Sequence, residues 1–245
     1  MRMPARARTS LLVHSALLLA LALLWSAGCE RSRSPEPQQP AAPTPAASAG
    51  SFAQPAPGGD ADAPAIVMLG DSITAGYGLP PEQAYPTLIA ERLRAEGSPW
   101  RIVNAGVSGD TTAGGLSRLD WLLRQRVDIL LVALGGNDGL RGLEPEAMRA
   151  NLAHIIERAQ ARGITVVLAG MRMPANYGAD YQRRFAEVFP ALVRQYKLAF
   201  VPFLLEGVAM RADLNQPDGI HPNERGAQIV ADTVWRVLKP LLDKG

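Results

Sequence analysis

Ala65-Ile66-Val67-Met68-Leu69 runs directly into Gly70-Asp71-Ser72, and the fold follows from how that junction is read. A few apolar residues ended by a glycine and a small polar cluster read as a buried strand. A serine at the carboxyl end of a strand, where the chain must turn sharply, is placed to expose its hydroxyl to a ligand. Alone, Gly-Asp-Ser is ordinary turn chemistry, because all three residue types favour turns. Later segments supply what a serine nucleophile needs.

Outward from the junction, strand and helix patterns alternate to the C-terminus. A helical stretch is expected around Gln83 to Glu96, with Leu88, Ile89 and Leu93 on one face, then a short strand at Arg101-Ile102-Val103. Thr112 to Arg126 reads as helix, since Leu116, Leu119, Leu122 and Leu123 are spaced for one face. Val127 to Leu134, bounded by Gly135-Gly136, is the central strand. Glu144 to Ala161 is a long amphipathic helix that opens on acids and a proline, which a helix start accepts. The strand Ile164 to Ala169, a helix over Asp180 to Tyr196, the strand Ala199-Phe200-Val201 and a last helix from about Asn223 to Leu242 complete the series. Alternation of this kind implies an α/β fold, a parallel sheet with helices on both faces.

The chain ahead of the junction has another character. Met1 to Arg8 carries Arg2, Arg6 and Arg8 and no acid; the apolar run Leu11 to Trp25 follows, and Ser26-Ala27-Gly28 precede Cys29, the single cysteine of the 245 residues. A basic head, an apolar middle and a small-residue end form a secretory signal over residues 1–28. The apolar run is shorter than the roughly 20 residues of a spanning helix, and an uncleaved anchor is the other form such a segment takes. Small residues directly before a lone cysteine resemble a bacterial lipoprotein signal, in which the cysteine is lipidated and becomes the new N-terminus. Ordinary cleavage nearby, leaving a free thiol, is the alternative. A single exported cysteine forms no internal disulfide.

Residues 29–63 are dominated by Pro, Ala, Ser, Gly and Gln. They cannot bury enough surface to offset their ordering entropy and are expected to form a disordered tether. The folded domain is then 64–245, large enough for a core. Removal of residues 1–28 takes three arginines and no acid, so the formal charge falls from +2 to −1. No basic stripe survives to suggest a nucleic-acid partner. The expected location is the periplasmic side of a bacterial membrane, as a lipoprotein anchored through Cys29, or the soluble periplasmic or secreted pool.

In a parallel sheet ligands bind outside the carboxyl ends of the strands. Ser72 follows the first strand, and the glycine-bearing loop Asn104 to Thr111 follows the second. Gly135-Gly136-Asn137-Asp138-Gly139 follows the third, and Asp218-Gly219-Ile220-His221-Pro222 lies beyond the fifth. Each alone is turn chemistry. Together they place a nucleophile, candidate oxyanion donors, a base and an orienting acid on one edge. In this order they resemble the four blocks of the SGNH (GDSL-type) hydrolases, and more narrowly the bacterial exported thioesterase, lysophospholipase and arylesterase branch. The stretches that carry the resemblance are Gly70 to Gly78, Asn104 to Thr112, Gly135 to Gly142, Met173 to Gly178 and Asp218 to Asn223. Ile73 stands where the family name has leucine. The resemblance spans Pro64 to the C-terminus and implies a flavodoxin-like three-layer α/β/α domain with a five-stranded parallel sheet.

By position, the resemblance makes Ser72 the nucleophile and His221 the general base, with Asp218 orienting His221 and stabilising its imidazolium. The backbone N–H groups of Ser72 and Gly109 and the side-chain amide of Asn137 would form the oxyanion hole, each donor worth on the order of 3 kcal/mol of barrier. Glycine at 109 lets the backbone approach the substrate, and Asn137 has two hydrogens to donate. The histidine inventory agrees. His14 lies in the leader and His154 falls on the solvated side of the long helix, which leaves His221. Asp218 and His221 are too few ligands for a catalytic zinc, so neither metal nor cofactor is expected. Thr74 stands where the Gly-x-Ser-x-Gly elbow of other hydrolases requires glycine.

The loop from Met171 to Tyr181 is either a plain surface connection or a wall of an acyl-binding groove. The resemblance favours the second, with Met173, Pro174, Asn176 and Tyr177 as substrate contacts. The expected protein is a monomeric exported serine esterase acting on small acyl esters or thioesters. A carbohydrate O-deacetylase of the same fold and a non-catalytic envelope lipoprotein binding module are the alternatives.

Overall fold

The computed structural model describes residues 63–243. The signal expected over 1–28, Cys29 and, apart from Ala63, the tether expected over 29–63 lie outside the described residues. Among the described residues no helix is long and apolar enough to cross a membrane.

Five strands, β1 (Ala65–Gly70), β2 (Arg101–Gly106), β3 (Ile129–Ala133), β4 (Thr165–Ala169) and β5 (Ala199–Val201), form one sheet in the order β2-β1-β3-β4-β5. Every pairing is parallel, and the order is that of flavodoxin-like sheets. β1 and β3 are buried along their whole length, as continuous apolar runs in a covered parallel sheet should be.

Among the described residues seven α-helices connect and cover the strands: α1 (Ser72–Ala75), α2 (Tyr85–Ala95), α3 (Thr112–Leu122), α4 (Gly136–Leu140), α5 (Pro145–Gln160), α6 (Ala179–Tyr196) and α7 (Glu224–Leu242). Alternate strand residues point to opposite faces, and two apolar layers result. Val67, Leu69, Leu130 and Val132 meet Leu119 of α3, Ile155 and Ile156 of α5, and Phe185 and Phe189 of α6. Ile66, Met68 and Leu131 meet Tyr85 and Ile89 of α2 and Val230 and Val234 of α7. His154 is exposed on α5, where it pairs with Glu157.

Most expected elements recur within a few residues, and the exceptions have local causes. β2 runs past Val103 to Gly106 because β1 pairs with it residue by residue to Gly70↔Gly106. α3 ends at Leu122 rather than Arg126, and the Leu123 carbonyl just past its end accepts from Arg162 Nη1 at 2.9 Å. The short helices α1 and α4, each starting within three residues of a strand end, have too few residues to show a period in sequence.

α1 lies directly on the carboxyl edge of the sheet because two glycines leave room for it. A Cβ on Gly70 would fall 2.0 Å from Thr74 Oγ1, and one on Gly106 would fall 2.2 Å from the Ala75 nitrogen. Beneath this turn the buried Thr74 Oγ1 and Tyr85 hydroxyl share a hydrogen bond of 2.9 Å. Replacing Gly106 with alanine forces backbone, not a flexible side chain, to move. It should therefore cost about 1–3 kcal/mol, the usual range for overpacking, read as a lower midpoint in urea unfolding; an unchanged midpoint would refute this packing.

Candidate active site

Asp71 starts the turn after β1. Its Oδ1 accepts from the Ile73 N–H at 3.0 Å, capping α1, and Ser72 becomes the first helical residue. From 149 positions away in sequence, His221 brings Nε2 to 2.9 Å from Ser72 Oγ. Its Nδ1 lies 2.6 Å from Asp218 Oδ2. Asp218 is fixed by its own loop, since Oδ1 accepts from the backbone N–H groups of His221 (3.0 Å) and Ile220 (2.9 Å). The His221 N–H above all, then the Ile220 N–H and the imidazole, outweigh partial desolvation and hold the Asp218 carboxyl down at about 2. An ionised Asp218 accepts only, so Nδ1 carries a hydrogen, and in the neutral imidazole Nε2 then faces the serine as acceptor.

The loop that carries His221 is tied to the turn that carries Ser72. Gln216 Nε2 donates to the carbonyls of Tyr77 (2.7 Å) and Pro222 (3.0 Å). The Tyr77 ring lies against the imidazole, centroids 4.7 Å apart.

The opposite wall comes from the loops after β2 and β3. Gly109 adopts φ +79°, a left-handed conformation that glycine takes without strain, and its carbonyl accepts from Arg141 Nη2 at 2.7 Å. The next residue, Asp110, accepts from Arg118 Nε at 2.8 Å, while Arg118 Nη2 donates to the Gly70 carbonyl at 3.0 Å. One guanidinium therefore joins the end of β1 to the Gly109 turn. Gly135 (φ +111°) turns the chain from β3 into α4, and Asn137 follows with Nδ2 at 3.3 Å from Asp71 Oδ2. Buried Asp138 accepts from the Thr112 N–H (2.9 Å) and hydroxyl (2.5 Å), fastening α4 to α3.

Between these walls lies a cleft of about 220 Å³. Ser72, Gly109, Asn137 and His221 meet there with the apolar side chains of Ile73, Tyr77, Leu140, Met171, Leu205 and Ile220. The five residues expected at the centre of the chemistry, Ser72, Gly109, Asn137, Asp218 and His221, are thus brought together as two groups on one rim. Met173, Pro174, Asn176 and Tyr177 do not line the cleft. Met173 Sδ packs where a Cβ on Gly139 would sit, and the Tyr177 hydroxyl donates to the Leu140 carbonyl at 3.1 Å. Both brace α4 from behind, whereas Pro174 and Asn176 are exposed. Met171 is the loop residue that reaches the cleft. Sequence reasoning missed Tyr77, Arg118, Arg141 and both contacts of Asp71; only Tyr77, flanked by glycines in a turn, carried any local signal. Among the described residues no cluster of three or more His, Cys, Asp or Glu could hold a metal ion.

A hydroxyl beside an imidazole nitrogen, with an ionised carboxylate behind it and amide donors opposite, is equipped for acyl transfer. The GDSL-like lipase/acylhydrolase family model matches residues 68–229. The chain belongs to this family. The acylhydrolase is 44% identical over 183 residues to Esterase TesA of Pseudomonas aeruginosa, covering 74% of its own chain and 91% of the relative. It is 38% identical over 184 residues to thioesterase 1/protease 1/lysophospholipase L1 of Escherichia coli K12, covering 75% and 87%. Its fold matches the crystal structure of TesA with a TM-score of 0.70 at 44% identity, over 73% of this chain and 99% of that one. It is a serine ester hydrolase.

One carboxylate in this acylhydrolase is held against its solvation. Asp71 is 4% exposed, and burial raises its pKa to about 6, although the Ile73 N–H and the nearby His221 favour the ionised form. Between about pH 4, where the unfolded carboxyl titrates, and pH 6 the folded state keeps a proton that the unfolded chain has lost. Stability from this group is therefore greatest below pH 4 and declines as pH rises through 6, by about 3 kcal/mol at most. Asp71→Asn removes the titration. Urea unfolding of both proteins from pH 4 to 7 should show wild-type stability falling relative to the variant across that window; a pH-independent difference would contradict the assignment.

Proposed function

We propose that this chain is an exported serine esterase that cleaves acyl esters and thioesters through an acyl-serine intermediate. The observation that carries the reading is the run Asp218–His221–Ser72, closed at 2.6 and 2.9 Å beside an apolar-lined cleft. His221 Nε2 takes the Ser72 proton as Oγ attacks the acyl carbonyl, and Asp218 steadies the imidazolium that forms. The developing oxyanion accepts from the N–H groups of Ser72 and Gly109 and from the Asn137 amide. Collapse expels the alcohol or thiol, which receives its proton from His221. A water deprotonated by the same nitrogen then cleaves the acyl-serine.

The substrate class is supported by the cleft itself. Ile73, Leu140, Met171, Leu205 and Ile220 offer an acyl chain an apolar surface and offer a sugar few hydrogen-bonding partners. Relatives named esterase and thioesterase/lysophospholipase point the same way. Export is supported by the basic, apolar and small-residue order of residues 1–28, and lipidation by the place of Cys29 directly after it.

Ser72→Ala should lower hydrolysis of p-nitrophenyl esters by roughly 10⁴-fold or more with the circular dichroism spectrum unchanged, and should abolish labelling by a fluorophosphonate. Retained turnover would remove Ser72 as nucleophile. Across acetyl to decanoyl esters, a preference for chains longer than acetyl is expected, and an acetyl optimum would favour the deacetylase alternative. Expressed at full length in a Gram-negative bacterium, the chain should fractionate with membranes in a form that Cys29→Ser releases; membrane association surviving that change would point to an uncleaved anchor.

A further inference from the structure

We infer that Asp71 is a positioning residue for Asn137, its carboxylate taking one amide hydrogen so that the other is held toward the tetrahedral oxygen. The inference rests on the reading of Asn137 as an oxyanion donor. An Asn side chain has a broad, two-fold terminal torsion, and it can present oxygen or nitrogen to a cleft with little change of shape. Only the nitrogen stabilises an oxyanion, so something must choose. Asp71 Oδ2, 3.3 Å from Asn137 Nδ2, makes that choice, because an ionised carboxylate accepts only. An amide oxygen turned toward it would be repelled.

Asp71 is itself unable to turn away. Its other oxygen is committed to the Ile73 N–H, and the residue is almost fully enclosed. Gly136 leaves the space that Oδ2 occupies, since a Cβ there would come within 3.3 Å of it. One carboxylate thus serves both as the cap of the helix that starts with Ser72 and as the partner of Asn137. Nucleophile and donor are set from the same group.

Capping alone does not explain the residue. Serine, threonine or asparagine would cap α1 about as well without burying a charge, which is costly. Aspartate persists here in a site where burial and the neighbouring Asp110 both oppose its ionisation, with His221 and the Ile73 N–H on the other side. The contact that requires an acceptor-only group is the one to Asn137.

The test is a double-mutant cycle in the full chain with Asp71→Ser, which retains a capping oxygen too short to reach Asn137, and Asn137→Ala. For a p-nitrophenyl ester, Asn137→Ala should lower kcat by about 10²–10³-fold. Asp71→Ser should lower it by about 10–100-fold with KM changed less than about twofold. The inhibition constant of phenylboronic acid, which forms a tetrahedral adduct on the serine, should rise in step with the kcat loss. In the Asn137→Ala background the Asp71 substitution should cost less than about twofold. Equal cost in both backgrounds would overturn the positioning role and leave the oxyanion hole standing. An Asn137→Ala variant with unchanged kcat would remove the oxyanion reading and this inference with it. Asp71→Asn, which retains the cap through Oδ1 and turns an N–H toward Asn137, gives the same cycle if the serine variant does not fold.

Discussion

β1 pairs with β2 at Gly70↔Gly106 and with β3 at Gly70↔Ala133, so three strands end at one level. The loops that leave that level carry Ser72, Gly109 and Asn137. A slip of one residue in β1 would move its end by about 3.3 Å and send its side chains to the wrong faces. Burial on both sides resists this, because Ile66 and Met68 fit one apolar layer while Val67 and Leu69 fit the other. The spacing of Ser72, Gly109 and Asn137 is thus enforced by core packing some distance from the cleft. The absence of side chains on Gly70 and Gly106 then lets the Ser72 turn settle onto the edge that the register has aligned.

Alignment of the strand ends leaves the loops themselves to be held, and three carboxylates do this. Asp110 and Arg118 link the Gly109 turn to the last carbonyl of β1. Asp138 links α4 to the first residue of α3. Asp71 links the start of α1 to Asn137. All three lie largely out of solvent, where an acceptor without a partner is costly and each contact is correspondingly specific. Exposed pairs such as Arg184 with Glu144 and Glu146 contribute far less to defining geometry, since water competes for both partners. Asp71 shows the tension most clearly: its ionised form weakens the fold at neutral pH while it organises the site, as strained functional groups commonly do.

The sheet, its five strands and the long helices were legible because each rests on a local pattern, such as the apolar run before Gly70 or the spaced leucines of α3. The strand-end blocks were legible because chemistry-bearing residues sit beside glycines in chain order. What was not legible joins distant residues by contacts with no periodic signature. Arg118 reaches back 48 positions to Gly70, and Asn137 reaches back 66 to Asp71. The loop after β4 shows the same limit. Its position beside the cleft was expected, yet which of Met171 and Met173 turns inward depends on how the chain leaves Ala169, and α4 takes Met173 for its own support.

The two halves of the site differ in how firmly they are held, and the difference suits the chemistry. Ser72, Gly109 and Asn137 hang from strand ends, whereas His221 rides on an exposed loop secured by Gln216, Tyr77 and Asp218. Donors that must meet an oxyanion gain from rigidity, since any reorganisation during reaction raises the barrier. In the proposed mechanism His221 must serve three partners in turn, namely serine, leaving group and water, and its loop faces the solvent from which the last arrives. Asp71 bears on both halves. Its charge favours the imidazolium but would oppose an oxyanion formed nearby. The Asn137 amide lies against that carboxylate and has its second hydrogen available to the cleft, so the group most hostile to the oxyanion meets it through a donor. A buried negative charge becomes compatible with building another beside it because a dipole of fixed direction stands between them.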